Sequence, residues 1–493
     1  MGASVVMAEP PSKRAKTAAP SDTETKAERL QAAVDAVEEV SVTEDASVDV
    51  LFRLTRLKDA PERHNRYAIG LQELFEGEYT QCLLTNYMYD LPWLFASCPR
   101  LHDVPVVLVH GERDRHAMTQ ECKGYGNVTP VAPYLPIPYG THHTKMAVLL
   151  YPTKARVAIF TANFIAIDWH NKTQGVWFQD FELKALGEDD ASEEKKQHQK
   201  QAAVADFERD LIEYLSTLGT PVVTFCKELS RFDFSTATVA LIPSVPGAHT
   251  GKAMHKYGHL RVRALLKHFA VAPSDHPLIC QFSSLGSLDE KWLFGEFAGS
   301  LMPGPTQLAS GGSTLPIKAL HIIWPSVNDV RNSVEGWNAG RAVPCPLKNM
   351  KPFLHKYLRK WTPPSALHRQ NAMPHIKTYA RFDPKRDGCV DWAILTSSNL
   401  SKAAWGAYQK NQSQFLIRSY ELGVLFLPSA SSHQHLSVVG TPAANTEDSI
   451  PTRLMPLPYA FPLTTYNPKE DEPWVWDLVR DEPDVYGNCY IPR

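Results

Sequence analysis

The sequence predicts an α/β protein made of two domains, and three observations support this fold class. The chain has 493 residues, which is more than a single hydrophobic core usually serves. Short apolar runs typical of buried strands alternate with a segment of helical spacing. A pattern of histidine, lysine and asparagine occurs twice, once in each half, as expected of two related units.

The composition is that of a globular protein. Hydrophobic residues make up 43% of the chain and charged residues 21%. No apolar run reaches the roughly eighteen residues that a membrane-spanning helix needs, and the N-terminus lacks the apolar core of a secretion signal. The eight cysteines are scattered with no Cys-x-x-Cys pair, which argues against a zinc or redox motif. We therefore expect reduced thiols in a nuclear or cytosolic protein that makes no membrane contact.

Residues 1–47 are predicted to form a disordered tail. They are nearly free of aromatic residues, so they cannot bury enough apolar surface to offset the entropy of ordering. The tail holds five Lys/Arg and nine Asp/Glu, a net charge of 5 − 9 = −4, which leaves −2 − (−4) = +2 for the remainder. The basic cluster "PPSKRAKT" at residues 10–17 is a candidate nuclear-import signal, although a solvated charge run explains it as well. The nucleus is the expected location, with the cytoplasm as an alternative.

A first domain is predicted over residues 48–236. Apolar side chains at helical spacing up to Gly219 predict a helix over residues 203–219. The charged stretch at residues 187–201 is expected to be a solvated loop. Three apolar runs have the pattern of buried strands, namely "DVPVVLVHG" (103–111), "KMAVLLY" (145–151) and "RVAIFTAN" (156–163).

A second domain is predicted over residues 237–493. The stretch "LIPSVPGAHTG" at residues 241–251 carries proline and glycine and is expected near the join between the domains. Further strand patterns follow in "HPLICQFSSLGSL" (276–288), "LHIIWPSV" (320–327) and "WAILTSSNLS" (392–401). The two domains therefore show the same alternation of strands and connections.

The repeated chemical pattern is His-x-Lys, then a strand, a turn, a second strand and an asparagine. The asparagine lies 18 residues after the lysine in the first copy and 22 residues after it in the second. The members are His143, Lys145 and Asn163 in the first copy and His375, Lys377 and Asn399 in the second. Two facing copies would form a donor-rich cluster without a carboxylate, which suits a phosphodiester anion.

Alternation along an extended chain predicts which side chains share a face. Residues i and i+2 of a strand project to one side, so His143 and Lys145 should point together, while Thr144 and Ile376 face away in their respective copies. His142 should likewise face away from His143 and be a packed or hydrogen-bonded histidine. Two histidines could instead hold a metal ion, but adjacent lysines oppose a cation. A single His-x-Lys could be chance, whereas two copies in matching contexts favour a site. Spacing alone leaves open which copy attacks and which protonates.

Longer stretches around these motifs resemble the phospholipase D superfamily, and within it the tyrosyl-DNA phosphodiesterase branch. The superfamily signature places Asp after Lys with four residues between, but this chain has Leu150 and Phe382 at those positions. The tyrosyl-DNA phosphodiesterase branch lacks this Asp and uses a downstream Asn, as here. The stretches that carry the resemblance are "YGTHHTKM", "DWHNKTQGVW", "QFSSLGSLDEKW", "NAMPHIKTY", "TSSNLSKAAWG" and "RSYELGVLFLP".

The resemblance implies two phospholipase D-like α/β/α sandwiches related by a pseudo-twofold axis, with the active site between them. It implies a two-step phosphoryl transfer that needs neither metal nor cofactor. His143 matches the nucleophile that forms a phosphohistidine, and His375 matches the general acid that later acts as base. The residues that match holders of the phosphate oxygens are Lys145, Lys377, Asn163 and Asn399. Gln174 and Glu421 match residues that each orient one imidazole, and the sequence leaves open which serves which.

The resemblance also implies contacts with the substrate. Ser283 and Ser284 match residues that hydrogen-bond a DNA phosphate, and Tyr139 stands where an aromatic residue could stack on a base. Pro344 and Trp476 match positions that line the groove at its DNA and peptide ends, although ordinary packing explains Trp476 equally well. Ala342 stands where the family has a serine, so one polar contact is expected to be missing.

The expected activity is metal-independent hydrolysis of 3′-phosphotyrosyl and related 3′-blocking adducts on DNA, in the manner of an exonuclease that trims blocked ends. The main substrate would be the stub of trapped topoisomerase I, and the product a 3′-phosphate for DNA repair. Expected partners are single- or double-stranded DNA with a 3′ adduct and a topoisomerase I-derived peptide, bound by a monomer. The rival hypotheses are a phospholipase D-type enzyme acting on another diester and a catalytically inactive protein that binds DNA ends.

Overall fold

In the computed structural model, the described residues are 50–112, 114–185, 206–272, 274–302, 315–386, 388–428, 435–441 and 452–492. They form an α/β fold, which confirms the predicted fold class. The predicted disordered tail, its candidate import signal and the predicted loop at residues 187–201 lie outside the described residues. None of the helices in the described part is long and apolar enough to cross a membrane.

The strands of the first sheet are β1 Arg53–Thr55, β2 Ala68–Ile69, β3 Gln81–Asn86, β4 Val106–His110, β5 Val128–Val131, β6 Met146–Leu150, β7 Lys154–Phe160 and β8 Gly175–Glu182. The later strands are β9 Ala240–Ser244, β10 Gly247–Thr250, β11 Leu278–Gln281, β12 Leu320–Trp324, β13 Leu358–Lys360, β14 Thr378–Phe382, β15 Cys389–Thr396, β16 Ala407–Gln409, β17 Gln414–Ile417, β18 Glu421–Phe426, β19 His435–Val438 and β20 Thr452–Met455.

The helices lie between the strands. They are α1 Leu71–Leu74, α2 Leu91–Ser97, α3 Arg115–Cys122, α4 Ala166–His170, α5 Phe207–Ser216, α6 Thr220–Leu229, α7 Gly258–His268, α8 Gly299–Leu301, α9 Val327–Arg331 and α10 Lys402–Trp405. A π-helical segment, Lys291–Ala298, precedes α8 directly. Short 3-10 turns make several of the remaining connections, including Glu62–Asn65 and Ser365–Leu367.

The two main sheets repeat one arrangement of seven strands. Along the first sheet the order is β5-β4-β3-β6-β7-β8-β1, and along the second it is β13-β12-β11-β14-β15-β18-β9. In both sheets the first three strands are parallel neighbours and every later pair is antiparallel. Each strand of one set therefore has a counterpart in the other, in the same chain order, as in two copies related by a pseudo-twofold axis.

Apolar runs form the central strands because these strands are covered on both faces. Every residue of β4 and β6 is buried, and so is every residue of β12. Continuous apolar sequence, rather than alternation of apolar and polar residues, is typical of such strands. A strand is present at each of the six apolar runs, although β11 and β15 end seven and five residues before the ends of their runs.

One local prediction needed correction. The helix predicted over residues 203–219 is shorter within its described part, because α5 ends at Ser216 and Gly219, with φ 137°, precedes α6. Residues 241–251, which are predicted to lie near the join between the domains, contain β10 and all but the first residue of β9. Pro243 fits β9 because β9 lies at the edge of its sheet, where one backbone N–H of the ladder is not needed.

The predicted division of the globular part at residue 236 stays a prediction. The first sheet uses residues 53–182, and the second begins at residue 240. Of the two helices between them, α5 lies against β9 of the second sheet and α6 against β4 of the first. The segment that joins the sheets thus contacts both.

The repeated arrangement places each copy of the chemical pattern at the corresponding end of the strands in its own sheet. In each copy His-x-Lys comes directly before a strand, β6 or β14, rather than within it, and Asn follows the next strand, β7 or β15. The third strand, β8 or β18, starts beside the end of the second because the two are antiparallel. The start of one strand, the end of the next and the start of the third therefore meet at the same edge.

A close backbone crossing fixes the segment that carries His143. Thr141 and His143 exchange backbone hydrogen bonds with Tyr420, at N···O distances of 2.9 and 3.0 Å. Gly140 lies at the start of this crossing, and a Cβ on it would overlap the carbonyl oxygen of Arg418. The first half is thus held against the second by backbone contact that tolerates no side chain at position 140.

We expect Gly140→Ala to destabilise the protein by about 1–3 kcal/mol, the usual cost of overpacking. The measurement is thermal or denaturant unfolding. The matched control is Gly126→Ala, because a Cβ at Gly126 would meet no atom within 4 Å. Equal stability of the two variants would show that the crossing is looser than the structure describes.

Candidate active site

The His143 imidazole is oriented by acceptors from the other half of the chain. Its Nδ1 lies 3.0 Å from Glu421 Oε2 and 3.0 Å from the carbonyl oxygen of Ser397. Glu421 begins β18, and its Oε2 also accepts a hydrogen bond from the Ser397 hydroxyl at 2.5 Å. Because both groups facing Nδ1 are acceptors, Nδ1 carries the proton and Nε2 keeps its lone pair.

The His375 imidazole is oriented by an amide from the first half. Its Nδ1 lies 2.9 Å from Gln174 Nε2 and 3.2 Å from Gln174 Oε1. The Thr161 hydroxyl donates to Gln174 Oε1 at 2.7 Å, so this oxygen already has a donor. The Gln174 amide nitrogen is therefore the closer partner of Nδ1, and it can donate to a neutral His375. That arrangement places the ring proton of His375 on Nε2.

The two orienting residues are exchanged between the halves. Glu421 reaches His143 across 278 positions of sequence, and Gln174 reaches His375 across 201. They occupy matching places, since Gln174 directly precedes β8 and Glu421 begins β18. This geometry answers the question that the sequence left open, namely which imidazole each of them contacts.

The two lysines are buried, and each contacts its own motif. Lys145 Nζ donates to the His143 carbonyl oxygen at 3.0 Å, and Lys377 Nζ donates to the His375 carbonyl oxygen. The same i to i+2 contact in both copies holds each ammonium group beside its histidine. The predicted convergence of the two His-x-Lys motifs agrees with their electrostatics, because each lysine lowers the pKa of His375.

The two asparagines are held differently. Asn399 Oδ1 accepts hydrogen bonds from the backbone N–H groups of Ser283 and Ser284, at 3.1 and 3.0 Å, which leaves its amide nitrogen available. Asn163 Nδ2 instead donates to Asp168 Oδ2 at 2.8 Å. One N–H of Asn163 is therefore already used, and the expected pair of equivalent amide donors is not symmetric.

Burial and mutual repulsion set the charges of the site. Burial lowers the pKa of His143, while Glu421 acts to raise it. Burial would raise the pKa of the Glu421 carboxyl group, but His143 and the other nearby groups outweigh it, so that this pKa is lowered. Burial, Lys377 and Lys145 hold the pKa of His375 well below its ordinary value. Burial also lowers the pKa of Lys145 to about 8 and lowers that of Lys377 strongly.

His142 is packed rather than hydrogen-bonded, which is one of the two predicted alternatives. It is fully buried against Tyr420, with 5.6 Å between ring centroids, and burial lowers its pKa to about 3. Neither ring nitrogen has a hydrogen-bond partner among the described residues. His142 is thus a neutral, packed histidine. Thr144, the next residue to face away from the motif, makes a buried hydrogen bond with the Tyr214 hydroxyl.

Sequence reasoning missed a buried charged network beside His375. Asp168 Oδ2 lies 3.7 Å from His375 Nδ1, and Lys172 Nζ lies 3.4 Å from Asp168 Oδ1. Lys172 also donates to Glu335 Oε1 at 2.9 Å. The i to i+4 spacing of Asp168 and Lys172 on and after α4 was the available signal, but Glu335 lies too far away in sequence for spacing to reveal it.

Tyr87 was also missed. Its ring lies 5.6 Å from the His143 ring and 5.8 Å from Lys145 Nζ, measured to ring centroids. It directly follows β3, as Phe282 and Ser283 follow β11. Equivalence of strands after duplication, rather than any local motif, would have identified this position.

The predicted substrate-contact residues lie at several depths. Ser283 is buried, whereas Ser284 and Pro344 are partly exposed. Tyr139 is 90% exposed with φ 61°, so its ring projects into solvent. Trp476 is 38% exposed, and its backbone N–H donates to the Cys345 carbonyl oxygen, which places it beside Pro344. Ala342 is partly exposed in the same segment. Their contacts with a substrate stay predictions.

The side chains of the site bear on whether it could hold a metal ion or an anion. In the described residues there is no group of three or more His, Cys, Asp and Glu side chains placed to hold a metal ion. The two catalytic-site candidates, His143 and His375, each direct Nδ1 to a protein partner. What the arrangement can do is hold an anion between two lysines and two imidazoles.

Comparison with known proteins identifies relatives of the chain. Residues 51–467 match the family model described as tyrosyl-DNA phosphodiesterase. The chain is 42% identical to tyrosyl-DNA phosphodiesterase 1 of Arabidopsis thaliana over 487 residues, which covers 90% of this chain and 76% of the relative. It is 34% identical to tyrosyl-DNA phosphodiesterase 1 of Drosophila melanogaster, covering 87% and 73%. The crystal structure of yeast tyrosyl-DNA phosphodiesterase shares the fold, with a TM-score of 0.63, 19% identity, and coverage of 86% of this chain and 99% of that one.

We expect Glu421→Gln to lower the pKa of His143 further, because the carboxylate of Glu421 acts to raise it. The measurement is an NMR titration of the imidazole carbons in histidine-labelled protein. His321 is the internal control, since burial and Arg359 lower its pKa to about 4 without a contribution from Glu421. If the substitution leaves the pKa of His143 unchanged, Glu421 is uncharged in the folded protein.

Proposed function

The chain belongs to the tyrosyl-DNA phosphodiesterase family, a family of hydrolases, and we propose that it cleaves 3′-phosphotyrosyl bonds in DNA through a covalent phosphohistidine. The observation that carries the proposal is that the two imidazoles have different hydrogen-bond partners at Nδ1. One histidine has acceptors at Nδ1, and the other has an amide donor there. A nucleophile needs a neutral imidazole with a free lone pair on Nε2, whereas a general acid needs an imidazolium, so the two rings must differ in protonation state once the substrate is bound.

His143 is the proposed nucleophile. Glu421 and Ser397 hold the proton on Nδ1, so the lone pair of Nε2 is free to attack phosphorus. The lowered pKa of His143 keeps the ring neutral near pH 7. As the Nε2–P bond forms, the bond from phosphorus to the tyrosine oxygen breaks, and the 3′ end of the DNA becomes attached to His143.

His375 is the proposed general acid and base. It gives a proton to the departing tyrosine oxygen and then takes one from the water that attacks phosphorus and breaks the Nε2–P bond. Its pKa is low in the free protein because burial disfavours a positive charge on the ring, and so does the positive charge of Lys377, Lys145 and Lys172. A bound phosphodiester anion would offset those lysines and raise this pKa, so the proton is taken up together with the substrate.

The lysines and asparagines would stabilise the charge that develops on phosphorus. They are Lys145, Lys377, Asn163 and Asn399. Preorganised donors of this kind are each worth about 3–4 kcal/mol in the transition state. The burial of both lysines supports this role, because an ammonium group without solvent gains most from an anionic partner. Release of a 3′-phosphate follows from attack by water.

The substrate proposal extends to trapped topoisomerase I and to other 3′-blocking groups. The named relatives support tyrosine as leaving group, since their names state a tyrosyl-DNA phosphodiesterase activity. Partly exposed Ser284, Pro344 and Trp476 and exposed Tyr139 offer polar and aromatic contacts for a nucleic acid strand and a peptide. We propose that the protein acts as a monomer in the nucleus, where such adducts arise.

The first test is cleavage of an oligonucleotide with a 3′-phosphotyrosine in excess EDTA. We expect full turnover, because the proposed chemistry uses only side chains of the protein. His143→Ala should abolish it, since no other group can form the covalent bond. The matched control is His116→Ala, which removes an exposed histidine on α3. Loss of activity in EDTA, or turnover by the His143 variant, would contradict the proposal.

A second test separates the two chemical steps. We expect His375→Asn to slow release of the intermediate by about 10²–10⁴-fold, the usual contribution of general acid–base catalysis. The DNA adduct on His143 should then accumulate and appear in the intact mass of the protein. The double variant that also carries His143→Ala is the control and should show no adduct. An adduct in the double variant would place the covalent bond on another residue.

A further inference from the structure

Two short turns from the two halves of the chain meet at a stacked pair of histidines. The turn Glu62–Asn65 carries His64, and the turn Ser365–Leu367 is followed by His368. The two rings lie 4.5 Å apart between centroids, with only 11° between their planes. Asn65 holds its turn in place through two hydrogen bonds with the backbone of Leu57.

A buried guanidinium group lies beside this pair without a counter-charge. Arg369 follows His368 and is 0% exposed. Its Nη1 donates to the Thr55 carbonyl oxygen at 2.8 Å, but Nε and Nη2 have no hydrogen-bond partner among the described residues. Burial lowers the pKa of Arg369 to about 9, with no carboxylate acting against it. A buried charge left in this state is strongly unfavourable.

The surroundings of the pair are positive. Burial lowers the pKa of His64, and His368, Arg63 and Arg369 lower it further, while no acid opposes them. Arg63 is exposed on the same turn. The carboxylate of the adjacent Glu62 pairs with Arg56 instead, at 2.9 Å. Cationic and N–H groups therefore gather around His64 and His368 without an acidic partner.

This cluster is joined to the active site by two hydrogen-bonded steps. Arg369 contacts the Thr55 carbonyl oxygen, and the Thr55 backbone N–H donates to the Gln174 carbonyl oxygen at 3.2 Å. The Gln174 side chain in turn contacts His375. Arg369 also lies six residues before His375 on a segment that bonds to Thr173. Arg369 and the active-site residues Gln174 and His375 are thus held by neighbouring, hydrogen-bonded segments of backbone.

We propose that Arg63, His64, His368 and Arg369 form a phosphate-binding site for a DNA backbone phosphate other than the one that is cleaved. The proposal rests on the proposed DNA substrate. The phosphate would be held at the exposed edges of the imidazoles and by Arg63, with the charge of Arg369 beneath. It would supply the counter-charge that the protein itself does not provide. The site would add affinity for longer strands and would take no part in bond cleavage.

The test compares two substrates and one binding measurement. An aryl ester of thymidine 3′-phosphate carries only the scissile phosphodiester, whereas a single-stranded 3′-phosphotyrosyl oligonucleotide carries many. For Arg63→Gln, we expect the ratio of kcat/KM for the oligonucleotide to that for the ester to fall about 3- to 10-fold. Binding of a labelled 3′-hydroxyl oligonucleotide should lose about 0.7 from the slope of log affinity against log salt, the amount for one phosphate of a single strand.

Further variants make the outcome decisive. Arg369→Met keeps the volume but removes the charge, and it should reproduce the change in ratio while folding as stably as the parent chain. Arg231→Gln is the control, because this exposed arginine lies near the C-terminal end of β8, whereas Gln174 precedes the N-terminal end of the same strand. A salt slope equal to that of the control would overturn the site, as would an unchanged ratio of kcat/KM for the oligonucleotide to that for the ester. A parent chain that cleaves neither substrate yet shows the Arg63-dependent slope would refute the proposed function and leave the site standing.

Discussion

The exchange of orienting residues between the two halves is the interaction on which the rest of the site depends. Each of the two imidazoles proposed to be catalytic is carried by one half and held by the other, through Glu421 for His143 and Gln174 for His375. Neither half could therefore form a working site alone. The backbone crossing at Gly140 and the buried pair of Lys172 with Glu335 fix the same relation between the halves. The contact that holds the two halves together is consequently also the contact that orients the two imidazoles.

The charge of the site explains why a phosphodiester fits it. The two lysines and His375 are buried and His143 is partly buried, and the acidic groups that face them are few: Glu421 contacts His143, and Asp168 lies beside His375. Burial lowers the pKa of both lysines, which shows how unfavourable their charges are without an anion. An anionic substrate relieves that cost as it binds. The negative charge of the bound substrate would also raise the pKa of His375, the proposed general acid. Substrate binding and proton uptake would therefore favour each other.

Much of the fold and the centre of the site could be predicted from sequence because their signals are local. Apolar runs indicated the strands, and repetition of His-x-Lys and Asn indicated the duplication. What could not be predicted depends on contacts between distant residues. Glu335 reaches Lys172 across 163 positions, and no spacing rule covers such a pair. Among the described residues, neither ring nitrogen of His142 has a hydrogen-bond partner, and this depends on tertiary packing. The hydrogen bond from Asn163 to Asp168, which Asn399 does not match, depends on tertiary packing as well.

The duplication raises a chemical problem that one pair of side chains resolves. Two equivalent half-sites would give two equivalent histidines, but attack and protonation require different ones. Glu421 and Gln174 occupy matching positions at the starts of β18 and β8, and they differ only in whether the side chain carries a carboxylate or an amide. A carboxylate accepts a hydrogen bond from Nδ1–H and so leaves the lone pair on Nε2 of His143. An amide can donate to the neutral ring through Nε2 and accept from the imidazolium through Oε1, so Gln174 suits a ring that gains and loses a proton. In the proposed mechanism, the division of labour between the halves follows from this single difference, on a backbone arrangement that is otherwise the same.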